Sequence, residues 1–125
     1  MIEADEQLIS KVLDASFAVH SELGPGLLES VYQNALCVEF EERGISYERE
    51  VPVTVVYKGR DLGIGFRADI IVERTLLLEL KSVESLVDIH LSQVLTYLKL
   101  LTFKRGLLLN FGSKLLKNGI KRVSI

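Results

Sequence analysis

The stretch GIGFRADIIVERTLLLELKSV, residues 63–83, decides the fold, because three charged side chains stand in it where a buried sheet is expected. Its first part, about Gly65 to Glu73, and its second, about Leu76 to Val83, read as two strands rich in β-branched and aliphatic residues, joined by a tight turn near Arg74-Thr75. The second is mostly apolar on both faces and so belongs in the middle of a sheet. Yet Asp69 sits amid Ala68, Ile70, Ile71 and Val72, and Glu79 and Lys81 sit within LLLELKSV. Side chains alternate along a strand, so Glu79 and Lys81 share one face. Asp69 and Glu79 are equidistant from residue 74, so folding about that turn makes them near neighbours across the two strands.

Unpaired buried charges are costly, so such groups are normally paired, metal-bound or placed at the mouth of a site. Two carboxylates this close repel each other unless a cation lies between them, and hard oxygen ligands with open positions suit Mg²⁺ or Mn²⁺. Lys81 adds positive charge beside such a metal, in place to orient a water or to stabilise the transition state of phosphodiester hydrolysis. The spacing fits a second arrangement equally well. A buried Glu79–Lys81 or Asp69–Lys81 ion pair could simply hold the sheet together, since Asp, ten residues, then Glu-x-Lys is a loose pattern.

Upstream, Ile9, Val12, Leu13, Phe17, Val19 and Leu23 recur at spacings of three and four and predict an amphipathic helix over about Gln7 to Leu23. It stops at Gly24-Pro25-Gly26. A second helix is predicted from about Leu27 to Arg43, with Leu28, Val31, Tyr32, Ala35, Leu36 and Phe40 on its apolar side. From Tyr47, EREVPVTVVYKG predicts a strand, and Lys58-Gly59-Arg60-Asp61 a hairpin turn. Downstream, Asp88 is placed to cap a third helix, about Ile89 to Leu101, burying Leu91, Val94, Leu95, Leu98 and Leu101. A buried strand over Arg105–Phe111, a short turn or helix, and a last strand near Lys121–Ile125 complete the order α-α-β-β-β-α-β-β. That is a mixed sheet covered by helices on at least one face, an α/β or α+β fold in one domain over residues 1–125.

Composition narrows the partners. The lone Cys37 excludes an internal disulfide and a thiolate metal site, and reads as a small apolar helix residue. No apolar run approaches the roughly 18 residues that cross a bilayer, and the first residues are acidic and polar, so a cytoplasmic protein is expected. The net charge of −2 hides an asymmetry. Residues 1–50 carry eleven acidic and three basic side chains, and residues 51–125 carry six and twelve. After Asp88 no carboxylate side chain remains, while Lys99, Lys104, Arg105, Lys114, Lys117, Lys121 and Arg122 follow. Such a face attracts polyanions, or else pairs with the acidic first helices.

Two helical pairs lie near these strands. Gln93 and Tyr97 are four apart, and Glu29 and Tyr32 three apart, so each pair shares a helix face. Glu29 in a first helical turn also has an ordinary explanation in the helix dipole. For Gln93 and Tyr97 the ordinary explanation is a surface amide and a half-buried ring.

Several segments together resemble the GxxExxY proteins, short bacterial and archaeal members of the PD-(D/E)XK nuclease superfamily. The naming motif stands as Gly26-Leu27-Leu28-Glu29-Ser30-Val31-Tyr32, within VHSELGPGLLESVYQNAL. GFRADIIVE, LLLELKSVE, HLSQVLTYLKL and GLLLNFG look like their counterparts in the same order, over roughly residues 8–125. The resemblance implies a restriction-endonuclease-like α-β-β-β-α-β core. It further implies metal ligands at Asp69 and Glu79, a catalytic lysine at Lys81 and a supplementary acidic ligand at Glu29. Gln93 and Tyr97 match the Gln-x-x-x-Tyr signature of RecB-like nucleases, whose side chains support the site and contact nucleic acid. One departure is Ala68, which precedes Asp69 where the superfamily motif has proline. His20, Arg67 and His90 fall in family-like segments without an assigned role.

The expected function is Mg²⁺- or Mn²⁺-dependent hydrolysis of phosphodiester bonds in nucleic acid, with DNA ahead of RNA. The alternative is a non-catalytic nucleic-acid- or protein-binding module on the same fold. A homodimer or a larger protein partner is a hypothesis for how so small a domain gains specificity.

Overall fold

The elements follow one another as α1 (Glu6–Leu23), α2 (Glu29–Glu42), β1 (Tyr47–Tyr57), β2 (Arg60–Val72), β3 (Leu76–Lys81), α3 (Asp88–Leu101), β4 (Arg105–Asn110) and β5 (Ile120–Ser124). A 3₁₀ turn at Leu116–Gly119 precedes β5. The computed structural model describes all residues, Met1–Ile125. The order is the expected one, and the fold is the mixed, restriction-endonuclease-like α+β arrangement.

Turn chemistry sets the sheet. Lys58 and Gly59 both have positive φ, 50° and 76°, the two-residue hairpin geometry that follows the natural twist of paired strands. The expected four-residue turn is therefore shorter, with Arg60 and Asp61 already in β2. Glu73 and Arg74 also have positive φ, in the three-residue loop between β2 and β3, where the Thr75 amide donates to Val72 O at 3.0 Å. The five strands lie in sequence order, all neighbours antiparallel except β3 and β4, whose parallel pairing requires the α3 crossover. β3 is central, as its unbroken apolar run predicted, and is buried as far as Leu80.

Helices cover both faces. Ile9, Val12, Val19, Tyr32, Leu36 and Phe40 of α1 and α2 pack on Ile70, Val72, Leu78, Leu80 and Leu109. On the opposite face Val94 and Leu98 of α3 pack on Phe66, Ala68, Ile71, Leu77 and Leu108. Some predicted core positions fall outside. Phe17, Leu23, Leu28, Val31 and Leu91 are exposed. In α1 the buried stripe includes Ser16 and His20 instead, which bury polar groups without loss because both are bonded. The Ser16 hydroxyl donates to Val12 O at 2.8 Å, and the His20 ring bonds Ser113 O at 2.8 Å. Asp88 does not cap α3; it is the first helical residue, and the Val87 amide before it donates to His90 Nδ1 at 3.1 Å. His20 and His90 thus hold structure together, Arg67 is exposed, and Cys37 is buried in the core as read.

Beyond Val53 and Phe66 the β1–β2 hairpin leaves both cores, and Val56, Tyr57, Leu62 and Ile64 are exposed on it. At the other end of the sheet Arg105 binds Glu3 at 3.0 Å and Glu6 at 2.6 Å, and Arg122 binds Glu6 at 2.6 Å. The basic tail therefore pairs in part with the acidic start of the chain. Lys114, Lys117 and Lys121 make no ion pair. No helix is long and apolar enough to cross a membrane.

Candidate active site

The β2–β3 ladder pairs Ile70 with Leu78, and the next step of that register sets Asp69 beside Glu79, as their distances from the turn foretold. There the backbone ladder gives way to side chains. Asp69 Oδ2 accepts the Leu80 amide at 2.8 Å, and Glu79 Oε1 accepts the Asp69 amide at 3.4 Å. The carboxylates thus satisfy backbone donors that a separating pair of strands would leave orphaned.

Asp69 also marks a change of face. Ala68 packs into the α3 core and Ile70 into the α1–α2 core, although residues two apart on a regular strand share a side. On β1 the same swap separates Tyr47 from Val51 and Val53, and the residue between Arg49 and Val51 is Glu50, with φ of +51°. Glu50 lies between the pairs Arg49–Ile70 and Val51–Ala68, level with Asp69. Three carboxylates from three adjacent strands therefore stand in one row across the sheet.

Glu29, the first residue of α2, closes this row from the helical side. Glu29, Ser30, Gln33, Glu50, Asp69 and Leu80 line one cleft of about 260 Å³. Gln33, 7% exposed, fixes its geometry. Its amide donates to Glu50 Oε1 at 3.1 Å and to Asp69 O at 3.2 Å, and its own oxygen accepts from Arg49 at 2.8 Å. Neither Gln33 nor Glu50 was singled out from the sequence. A polar residue on the buried side of α2 was the only signal for the first.

The loop before α2 is tied down by two hydroxyls. Tyr32 donates to Gly24 O at 2.6 Å and accepts the Leu27 amide at 3.1 Å, with its ring stacked on Phe111. Ser82, next to Lys81, donates to Leu27 O at 2.6 Å. Gly26, with φ of +99°, supplies the backbone turn between them. The Gly-x-x-Glu-x-x-Tyr spacing thus has a mechanical meaning: the tyrosine anchors the loop from which Glu29 enters the cleft. Tyr32→Phe removes both bonds at once, and guanidinium unfolding should show a loss of about 1–3 kcal/mol.

Electrostatics mark the row as strained when no cation is present. Burial first, and the Asp69 charge second, push the Glu79 carboxyl up to about 9. Burial raises Asp69 as well, against the Leu80 amide, which favours its ionised form. Glu29 is raised by burial and then by Asp69. The Lys81 ammonium opposes the rise at all three carboxyls. Lys81 nonetheless forms no ion pair with Asp69 or Glu79, so the sheet is not held by a buried salt bridge. Tyr97 faces the row from α3. Its ring stacks on Phe66 at 3.8 Å, and its hydroxyl is raised by burial and by the charges of Glu79 and Asp69. Gln93, one turn earlier, is half-buried, and its side-chain amide has no hydrogen-bond partner in the chain.

No three His, Cys, Asp or Glu side chains converge as a ready-made cage for a metal ion. Asp69 and Glu79 still fit a hard divalent cation, since Mg²⁺ is commonly held by one or two carboxylates, with waters and substrate phosphate filling its sphere. A buried carboxyl at Glu79 and a half-buried one at Asp69, both pushed upward by desolvation and the first further by its neighbour's charge, are the donor set such an ion would relieve.

Neither the curated proteins nor the solved structures contain a match to the chain. A family model for the PD-(D/E)XK nuclease superfamily matches residues 6–123. Nucleases of this kind generally use divalent metals and act on nucleic acid. The acidic row, Lys81 and every strand that carries them fall inside the matched span, and the chain belongs to the PD-(D/E)XK nuclease superfamily.

Proposed function

We propose that the chain is a GxxExxY-type, divalent-metal-dependent nuclease that hydrolyses phosphodiester bonds, with DNA as its first candidate substrate. The observation that carries this reading is the juxtaposition of Asp69 and Glu79 at the point where β2 and β3 part, with Lys81 on the same strand and its charge felt by both. In this reading Asp69 and Glu79 hold Mg²⁺ or Mn²⁺, and Glu29 adds negative charge from the facing wall of the cleft. When bound, the ion supplies Lewis-acid activation of water and neutralises charge on the phosphate. Lys81 orients the attacking water or stabilises charge growing on the phosphoryl oxygens. Tyr97, kept protonated by its surroundings, serves as a hydrogen-bond donor at the α3 wall, with Gln93 one turn away on the same face. The Glu50–Gln33 contact keeps β1 and α2 in register behind Asp69.

Calorimetric titration of Mn²⁺ into wild type and Asp69→Ala tests the metal site. Heat of binding is expected in the first and not in the second. A gel assay on the same samples, with linear, circular and single-stranded DNA, should show cleavage lost together with binding. Absence of Mn²⁺ binding by wild type would turn the row of carboxylates into a scaffold and the protein into a binding module.

A further inference from the structure

A second concave site lies one strand away from Lys81. Lys81 ends β3 and Asn110 ends β4, and the two are register partners. Asn110 is 1% exposed and bonds the loops that follow both strands. Its oxygen accepts the Val83 and Gly112 amides, each at 3.0 Å, and its amide donates to Val83 O at 2.9 Å. Gly112 permits this closeness, since a Cβ there would collide with Val83 O. The clamped loops, with the 3₁₀ turn and β5, enclose a cavity of about 420 Å³, larger than the cleft at Asp69. Lys114 and Lys121 line it beside Ser85, Ser113 and Asn118. Glu84 is the one carboxylate on its wall, and neither lysine is engaged in an ion pair.

We infer that this cavity is a subsite for a backbone phosphate of the nucleic acid strand, seated between Lys114 and Lys121 and flanking the bond presented to Lys81. The inference rests on the nuclease reading for the identity of the strand. Parallel strands place ligands outside their carboxyl ends, and the cavity lies beyond those ends of β3 and β4, with Lys81 the last residue of β3. Adjacent strands are about 4.8 Å apart, and successive phosphates of one nucleic acid strand about 3.4 Å apart along a duplex axis, so the two sites are within a few nucleotides of each other. Two ammonium groups act as point charges, and hydroxyl and amide donors around them suit an anion rich in acceptor oxygens. Glu84 is the one carboxylate beside these lysines, and no carboxylate side chain follows Asp88 in the chain.

Anisotropy of a labelled single-stranded deoxyoligonucleotide, in EDTA so that nothing is cut, tests the subsite. The Lys114→Ala/Lys121→Ala chain should bind on the order of tenfold more weakly than wild type, with the slope of log K against log salt reduced by about 1 for each lysine. Lys117→Ala, which removes one charge outside the cavity, should bind within about twofold of wild type. Equal affinity of the double variant and wild type overturns the subsite. So does an equal loss in Lys117→Ala, which would make the effect diffuse surface charge, and so does a wild type that does not bind. Cleavage in Mn²⁺ is read separately. A chain that binds through these lysines and cuts nothing keeps the subsite and loses the nuclease reading. A chain that cuts, with the double variant binding normally, does the reverse.

Discussion

Lys81→Ala should cut DNA roughly 10²–10³-fold more slowly than wild type in Mg²⁺ or Mn²⁺, the scale on which a single aimed charge stabilises a transition state. The variant should still fold. Lys81 makes no ion pair, and its backbone oxygen, which accepts the Phe111 amide at 2.8 Å, is untouched by truncating the side chain. Its melting temperature therefore stays close to wild type, which separates loss of chemistry from loss of fold. Asp69→Ala should be inactive for a different reason, loss of the ion, and is distinguished by its missing Mn²⁺ heat. Equal degradation of DNA by wild type and Lys81→Ala would trace the activity to a contaminant and sink the nuclease reading.

The second large effect concerns stability. In the unfolded chain Glu79 ionises near its ordinary value of 4.5, whereas in the metal-free fold it keeps its proton up to about 9. Between those limits unfolding releases a proton, so the metal-free fold loses stability as pH rises from about 4.5 to 9. Asp69 adds to the trend in the same direction. Glu79→Gln keeps the shape and removes the titration. In EDTA at pH 8 it should melt roughly 5–10 °C above wild type, a gap that closes toward pH 5. Mn²⁺ competes with protons for the pair, so it should stabilise wild type more at pH 8 than at pH 6, by about 2.7 kcal/mol at a hundredfold excess over its dissociation constant. Glu79→Gln should gain little from it. Parallel melting curves of the two proteins from pH 5 to 9 in EDTA would refute this account.

These effects were legible in the sequence only where a short turn fixed the register. Asp69 and Glu79 are separated by a single tight turn, so their meeting followed from counting. Glu50 stands twice as far from its own hairpin turn, eight residues before Lys58 against the four from Asp69 to Glu73, and it was missed. Continuing the Tyr57–Arg60 pairing straight down the hairpin would set Glu50 opposite Arg67, and only two register shifts near Val53 and Thr54 bring it level with Asp69. Bulges of that kind leave little trace in composition. Gln33 and Ser16 escaped because polar residues within an apolar stripe are assigned to solvent by pattern, and only tertiary partners reveal them as buried. The Gln93–Tyr97 spacing was readable, and it carried Tyr97 to the acidic row. The excess of basic residues after Asp88 was readable too, but the division between paired arginines and unpaired lysines depends on where the first few residues fold back.

The exposed outer half of the β1–β2 hairpin has a practical corollary. Lacking cover from either helical layer, it should exchange its amides with deuterium early and be the first place nicked by a protease, while β3 and β4 resist both. A reporter loop or affinity handle spliced between Lys58 and Gly59 would sit at the end of this arm, remote from the carboxylates at its root, and the protein should accept it as an accessory rather than a lesion.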